Sequence, residues 1–441
     1  MPLRPGPRAR RALACTLARA LARALALALG AGACKPGSDA AVVAPPAPPI
    51  ATSLPMLRIT TTSGFPVTSK DDYVPGAYVL ADTLGVTRQQ GALEIKGHGN
   101  STWVLFPKKP YHLKLASSAP MLAMPANKHW ILLANYADKT LLRNAMAFDL
   151  SRRLSFAYTP RYEDVDVYVN GSYEGVYELA EHVRVAPDRV NVPELKVTDT
   201  SATDITGGYL VQVDETRGED FCFSSTHTSM VFCLKSPDTL LQPGWERQRA
   251  YIERYVRRLD STIFAPTFAD PQTGYAAYLD VASLVDCYLL DELFKNVDGN
   301  LRRGTYFSKP RGGKLTCGPV WDYDISMGNA NYLSGDLADG WYVRTAPWYT
   351  RLFEDPAFEA RVRARWRELR ANGALDRPVA FASEHSTYLG EVQRRNFTRW
   401  PILDTWVWPN RVVTGSYFAE VRATQDWLRA RIQWMDGQLG R

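Results

Sequence analysis

The spacing of apolar residues along this chain changes once, near Pro243, and that change limits the fold more than any single motif. From Met56 to about residue 240, short runs mix apolar and polar residues at strand spacing, as in Leu57-Arg58-Ile59-Thr60-Thr61, Ala92-Leu93-Glu94-Ile95-Lys96 and Tyr111-His112-Leu113-Lys114-Leu115. Period two gives a strand one buried face. Beyond about residue 241 the spacing turns helical: Trp245, Ile252, Val256 and Leu259 share one face, and Val421, Leu428 and Ile432 another. The expectation is an α+β fold with a strand-rich lobe over about 56–240, a helical lobe over about 241–441 and a cleft between them.

Turn and cap residues sharpen this reading. Val165–Val169 and Ser172–Tyr177 flank Asn170-Gly171, a pair that supplies the positive φ angles of a type I′ turn, so a tight hairpin is predicted. Leu142, Ala145, Met146, Leu150 and Leu154 predict one helix inside the strand-rich half, over Leu141–Leu154. Asp280 suits the cap of a helix through Phe294, Asp355-Pro356 opens another that Asn372-Gly373 closes, and a last helix covers Phe418–Met435.

The N-terminus reads as an address. Six arginines (Arg4, Arg8, Arg10, Arg11, Arg19, Arg23) and no acid precede the apolar stretch Ala24–Ala33 and then Cys34. That is the layout of an export signal, and its apolar part is far shorter than the roughly 20 residues that span a bilayer. Ala31-Gly32-Ala33-Cys34 is similar to a bacterial lipobox, which makes residues 1–34 the expected signal peptide and Cys34 the expected lipidation site. Residues 35–55, with Ala44-Pro45-Pro46-Ala47-Pro48-Pro49, read as a Pro/Ala-rich tether holding the domain 56–441 off a membrane or cell surface. The formal charge of +6 is accounted for by those six arginines. The folded part is therefore neutral and lacks the footprint of a nucleic-acid binder.

Six cysteines are too few for a disulfide scaffold. Cys222 and Cys233 flank a hairpin-like segment where a disulfide can form, whereas Cys287, inside a helix, reads as a buried thiol. The six histidines are scattered without ligand spacing, and HExxH, CxxC and GxSxG are absent, so zinc and serine-hydrolase chemistry find no support. Nine of the twelve tryptophans lie from Trp321 onward. They read as packing of the helical lobe, with a sugar or peptide groove as the other use.

Two constellations carry chemistry. After the Asp280 helix come Asn296-Val297-Asp298-Gly299-Asn300, a strand Thr305–Lys309, a turn Gly312-Gly313, a strand Lys314–Cys317 and Gly318-Pro319-Val320-Trp321-Asp322-Tyr323-Asp324. That order puts Asp298 and Asp322 at the same end of a two-stranded ribbon, where carboxylates can hold Mg²⁺ and share it with phosphates. A plain turn with surface acids would look the same. An EF-hand fails, since Met327 sits where glycine is required and Leu333 where the bidentate glutamate belongs. The second constellation, Lys96-Gly97-His98-Gly99-Asn100-Ser101-Thr102-Trp103, can offer backbone N–H groups and small hydroxyls to an anion, with Lys108, Lys109 and Lys114 following. Read alone, it is equally a tight turn beside solvated lysines.

Together with Pro107-Lys108-Lys109-Pro110-Tyr111, Ala134-Asn135-Tyr136-Ala137-Asp138-Lys139-Thr140-Leu141-Leu142-Arg143-Asn144 and Tyr168–Tyr177, these blocks resemble the successive signatures of the spore coat protein H (CotH) kinase family. The resemblance implies an atypical protein-kinase-like fold of two lobes that transfers phosphate from ATP to Ser or Thr of a protein substrate with Mg²⁺ or Mn²⁺. It implies Asp298 as catalytic aspartate, Asp322 and Asp324 as metal ligands, and Lys114 or Lys109 at the ATP phosphates. Asn100, Ser101, Arg143 and Glu181 would complete the ATP site, Glu181 near the segment joining the lobes. The chain departs from the pattern at His98, where the family usually has Arg. The Leu141–Leu154 helix holds no Glu to pair with the lysine, leaving Asp149 or Arg143, and Arg303 occupies the position where ordinary kinases place a metal-binding Asn. The competing reading is a catalytically retired, surface-anchored protein that keeps the fold and binds a protein or glycan.

Overall fold

The computed structural model describes residues 53–215 and 220–440. The expected signal peptide, Cys34 and most of the tether lie outside the described residues. The last residues of that expected tether are part of the fold: Leu54 is buried and the Pro55 carbonyl accepts from Asp166 N at 2.9 Å.

Seven strands form a closed barrel: β1 (Met56–Thr61), β2 (Val74–Ala81), β3 (Thr87–Gly97), β4 (Tyr111–Met121), β5 (Met124–Leu133), β6 (Tyr162–Val169) and β7 (Ser172–Glu181). Their order is β1-β2-β3-β4-β5-β7-β6, antiparallel except where β1 and β6 close the ring in parallel. Alternation sends Leu57, Ile59, Leu93, Ile95, Leu113, Leu115, Trp130, Leu132, Val165 and Val167 inward. Closure leaves these strands no free edge. The predicted hairpin joins β6 to β7, with Asn170 at φ 50° and Gly171 at φ 80°.

A second sheet holds β8 (Tyr209–Val213), β9 (Phe221–Ser224), β10 (Val231–Ser236), β11 (Thr305–Lys309) and β12 (Thr316–Cys317) in the order β12-β11-β8-β10-β9. It draws β11 and β12 from the helical half of the sequence, so the change of period near Pro243 does not divide the sheets. The long helices are α1 (Glu246–Phe264), α2 (Val281–Phe294), α3 (Pro356–Ala371), α4 (Arg377–Tyr388) and α5 (Tyr417–Leu439). Asp280 caps α2 by accepting from Ser283 N at 2.8 Å, and Asp355 caps α3 by accepting from Ala357 N at 2.9 Å. The helices, the second sheet and the outer side of part of the barrel share one large apolar core.

Two expectations need correcting. The helix predicted over Leu141–Leu154 runs only over Arg143–Ser151, because Leu141 is left-handed (φ 59°) and the Asp138 carboxylate accepts from the N–H groups of Leu142 and Arg143 at 3.0 and 2.9 Å, fixing the start. Cys287 is no free thiol. It is bonded to Cys317, which ties α2 to β12, and a second disulfide joins the facing residues Cys222 and Cys233 across β9 and β10. Cys317 lies in the hairpin 30 residues further on, a distance at which spacing gave no signal.

Candidate active site

The ribbon β11/β12 pairs Phe307 with Cys317, so the loop entering β11 and the loop leaving β12 emerge at one end. These loops carry Asp298 and Asp322. Asp322 feels the charge of Asp298 through space, and Asp324 feels both, so the three aspartates form one electrostatic group. Asp298 is partly exposed and its carboxyl titrates above the ordinary range, first because protein crowds out water and despite the pull of Arg303 and Arg302. Among the described residues no group donates a hydrogen bond to that carboxylate. Arg302 and Arg303 turn instead to Glu215, at 2.5 and 2.7 Å.

Asp322 reaches solvent at the rim while protein packs closely around it. Its proton is held up to about 6, by desolvation first and then by the charge of Asp298, with the hydrogen bond to Asp324 working the other way. Buried Asp324 is pushed well above the usual range by desolvation and then by Asp322, Asp138 and Asp298. Two carboxyls this close share a proton unless a cation neutralises them.

The backbone at Asp322 is left-handed, φ 69°, a conformation that costs a residue with a side chain about 1–3 kcal/mol and persists only where neighbours impose it. Those neighbours are identifiable. Asn144 accepts from Tyr323 N at 2.7 Å, the Tyr323 hydroxyl donates to Asp291 at 2.5 Å, and Asn329 donates to the Asp324 carbonyl at 2.8 Å. Arg143 donates to the Ser326 carbonyl at 3.0 Å and to Thr424 at 3.0 Å, while also paired with Asp138. The block Ala134–Asn144 therefore clamps the acidic loop.

Three residues expected at the nucleotide have protein partners instead of open side chains. Arg143 is buried and its guanidinium is consumed by that clamp. Lys109 donates to the Trp103 carbonyl at 2.5 Å and sits over the Trp103 ring. Glu181 closes β7 at the start of the crossover toward the second sheet, near where a joining segment was expected, yet its buried carboxylate is taken by Arg161 at 2.8 Å and Tyr158 at 2.8 Å. Lys114 stays half-exposed on the outer barrel face, paired with Glu94 at 2.8 Å. Asp149 does not serve it, being bound to Arg153 and Arg377. Asn100 is exposed and accepts from Lys70 at 2.9 Å, and Ser101 is exposed beside it. Gly97 is forced, since a Cβ there would lie 2.6 Å from the Trp103 ring.

Sequence reading missed Asn144, Asn296 and Asn300. Asn300 donates to the Tyr342 hydroxyl at 3.2 Å, but its buried Oδ1 has no partner. An oxygen acceptor left orphaned two residues beyond Asp298 in the same loop is a donor type a hard cation takes. Among the described residues no three acidic, imidazole or thiol groups converge into a finished metal cage. Carboxylates that hold Mg²⁺ jointly with substrate phosphates do not require one.

The family model described as CotH kinase protein matches residues 94–435, from β3 through most of α5. The chain belongs to the CotH kinase family. A comparison with curated proteins finds no match. The matched span of this CotH protein includes both acidic loops, the clamp that holds the Asp322 loop and the strands β4 to β12.

Proposed function

We propose that this CotH protein is an exported protein kinase on a two-lobed kinase-like fold, transferring the γ-phosphoryl group of ATP to Ser or Thr of an extracytoplasmic protein. The observation that carries the reading is the unneutralised group Asp298, Asp322 and Asp324 at one end of the β11/β12 ribbon, with Asp322 held in a strained backbone by a dedicated clamp. A scaffold gains nothing from crowding carboxylates together. Two disulfides support an oxidising compartment, and with it export. Of the nine tryptophans from Trp321 onward, Trp348, Trp366, Trp400 and Trp427 are buried and read as packing, while Trp406 is exposed.

In this mechanism Asp298 accepts the proton of the attacking hydroxyl as its oxygen bonds to the γ-phosphorus, and the bond to the β,γ-bridging oxygen breaks to release ADP. Desolvation keeps Asp298 basic enough to take that proton. Asp322 and Asp324, with the Asn300 amide oxygen, are the donors that would hold Mg²⁺ or Mn²⁺, which supplies charge neutralisation on the phosphates. Arg143 and Asn144 are positioning residues that hold the acidic loop in register.

The test is a thermal titration of the intact chain with ATP, with Mg²⁺ or Mn²⁺, and with both, followed by mass spectrometry for phosphoserine and phosphothreonine. Stabilisation that requires both components and is lost in Asp322→Asn supports the reading. Indifference to ATP and metal together overturns it.

A further inference from the structure

The antiparallel pairing of β8 with β11 sets Val213 opposite Thr305, so the chain leaving β8 runs beside the loop entering β11. Glu215 stands just past the end of β8, and Arg302 and Arg303 stand just before the start of β11. Their side chains meet there. Arg302 Nε donates to one Glu215 oxygen at 2.5 Å, and Arg303 Nε and Nη2 donate to the other at 3.1 and 2.7 Å. Two guanidinium groups thus close on a single carboxylate, a fork that arginine offers to carboxylates and phosphates and lysine does not.

This fork lies on the loop that carries Asp298. Arg303 N donates to the Asp298 carbonyl at 3.0 Å, which folds the loop back on itself, and both guanidinium groups act through space on the Asp298 carboxylate. A polypeptide that presents its hydroxyl to Asp298 advances about 3.3 Å per residue when extended, so the side chains flanking the acceptor enter the same neighbourhood.

The fork is occupied, but loosely. The side chains of Arg302, Arg303 and Glu215 are 43, 44 and 38% exposed. Each guanidinium carries five N–H groups, and Glu215 takes one from Arg302 and two from Arg303; among the described residues neither arginine has another hydrogen-bond acceptor. Exposed ion pairs add little to stability, so another anion displaces Glu215 at small cost. The fork also holds a carboxylate in spite of the acids nearby, since the Glu215 carboxyl stays below the ordinary range, first through the hydrogen bond from Arg302.

We propose that Arg302 and Arg303 recognise an acidic side chain of the acceptor polypeptide, close in sequence to the phosphorylated Ser or Thr, and that Glu215 fills the fork when no acceptor is bound. This rests on the kinase reading for the acceptor. Glu215 is the chain's own stand-in for the substrate acid, and the arginines select the substrate without touching ATP.

The probes are two capped pentapeptides, a central serine flanked by four glutamates or by four glutamines, titrated calorimetrically into the intact protein in EDTA without nucleotide. The glutamate peptide should bind saturably and the glutamine peptide should not. Glu215→Gln removes the internal competitor and should tighten the glutamate peptide about threefold or more, whereas Arg302→Gln/Arg303→Gln should weaken it about tenfold or more. All three side chains are largely solvated, so the variants should melt close to wild type. Repeating the comparison with ATP and Mg²⁺ separates the fork from the kinase reading. Binding of the glutamate peptide through the arginines with no phosphoserine formed supports the fork and sinks phosphotransfer. Phosphorylation of both peptides at equal rates overturns the fork and leaves the kinase standing. Equal affinity for the two peptides, an affinity unchanged in both variants, or displacement of the glutamate peptide by ATP in EDTA also overturns it.

Discussion

Glu292 and Asp298 lie six residues apart, at and just beyond the end of α2, and are treated in opposite ways. The fully buried Glu292 carboxylate receives Arg431 at 2.6 Å, Tyr342 N at 2.9 Å and Arg344 N at 2.7 Å. Asp298 receives nothing among the described residues, and the two arginines beside it pair with Glu215. Glu292 joins α2, α5 and the segment 337–345, where the fold needs a permanent charge satisfied on all sides. A carboxylate left open in an acidic neighbourhood costs stability unless a ligand neutralises it.

The sharpest way to break this comparison is to remove each charge without changing shape. Asp298→Asn should lower phosphotransfer by roughly 10²–10⁴-fold, the range of a lost general base, while the melting temperature holds or rises because one repelling charge is gone. Quantifying phosphoserine and phosphothreonine alongside calorimetry checks both halves. Equal rates in variant and wild type would remove Asp298 from the chemistry.

Arg431→Met should do the reverse. It leaves Glu292 buried and unpaired, which costs about 3–5 kcal/mol, and it also frees the Ala338 and Gly340 carbonyls that Arg431 holds. Urea denaturation reads the loss. A shift below about 1 kcal/mol would mean the pair is solvated and the contrast with Asp298 false.

How much of this was legible in the sequence follows the same divide between local and distant effects. The Asn170-Gly171 hairpin, the Asp280 and Asp355 caps and the shared end of the β11/β12 ribbon were readable, because each rests on residues close together in the chain. Barrel closure through β1 and β6 and the Cys287–Cys317 bond were not, because each is set by strand order across tens of residues. That Arg143 and Glu181 have buried protein partners was not legible for a related reason. A charged residue within a recurring block can serve the ligand or the clamp that holds the ligand's loop, and only its partners tell which. Asn300 was overlooked because a turn asparagine normally satisfies its own backbone, and nothing in the sequence marks an orphaned amide oxygen.

The disulfide ties α2 to the last residue of β12, at the end of the strand from which the Asp322 loop departs. Replacing Cys287 and Cys317 by Ser frees a loop of about 30 residues, for which chain entropy gives about 3.6 kcal/mol. The expected result is a lower denaturation midpoint with the Asp322-dependent response to ATP and metal preserved. Loss of that response at temperatures where the variant is still folded would show that the bond also shapes the site.

The smallest effect, and the one most specific to the open carboxylates, is a pH dependence. In the folded chain Asp322 holds its proton up to about 6, against 3.8 when its neighbours are absent. Between these values the folded state binds more protons than the unfolded state, so stability falls as pH rises from about 4 to about 6 and is level above. In EDTA, wild type should therefore lose more stability across this window than Asp322→Asn, whose amide does not titrate. With Mg²⁺ or Mn²⁺ and ATP the sign reverses for wild type, because the cation binds the ionised form and its affinity climbs as the proton leaves. Parallel stability curves for wild type and Asp322→Asn across this window would mean that Asp322 is neutralised inside the protein, as Glu292 is, and the distinction between the two acids would fail.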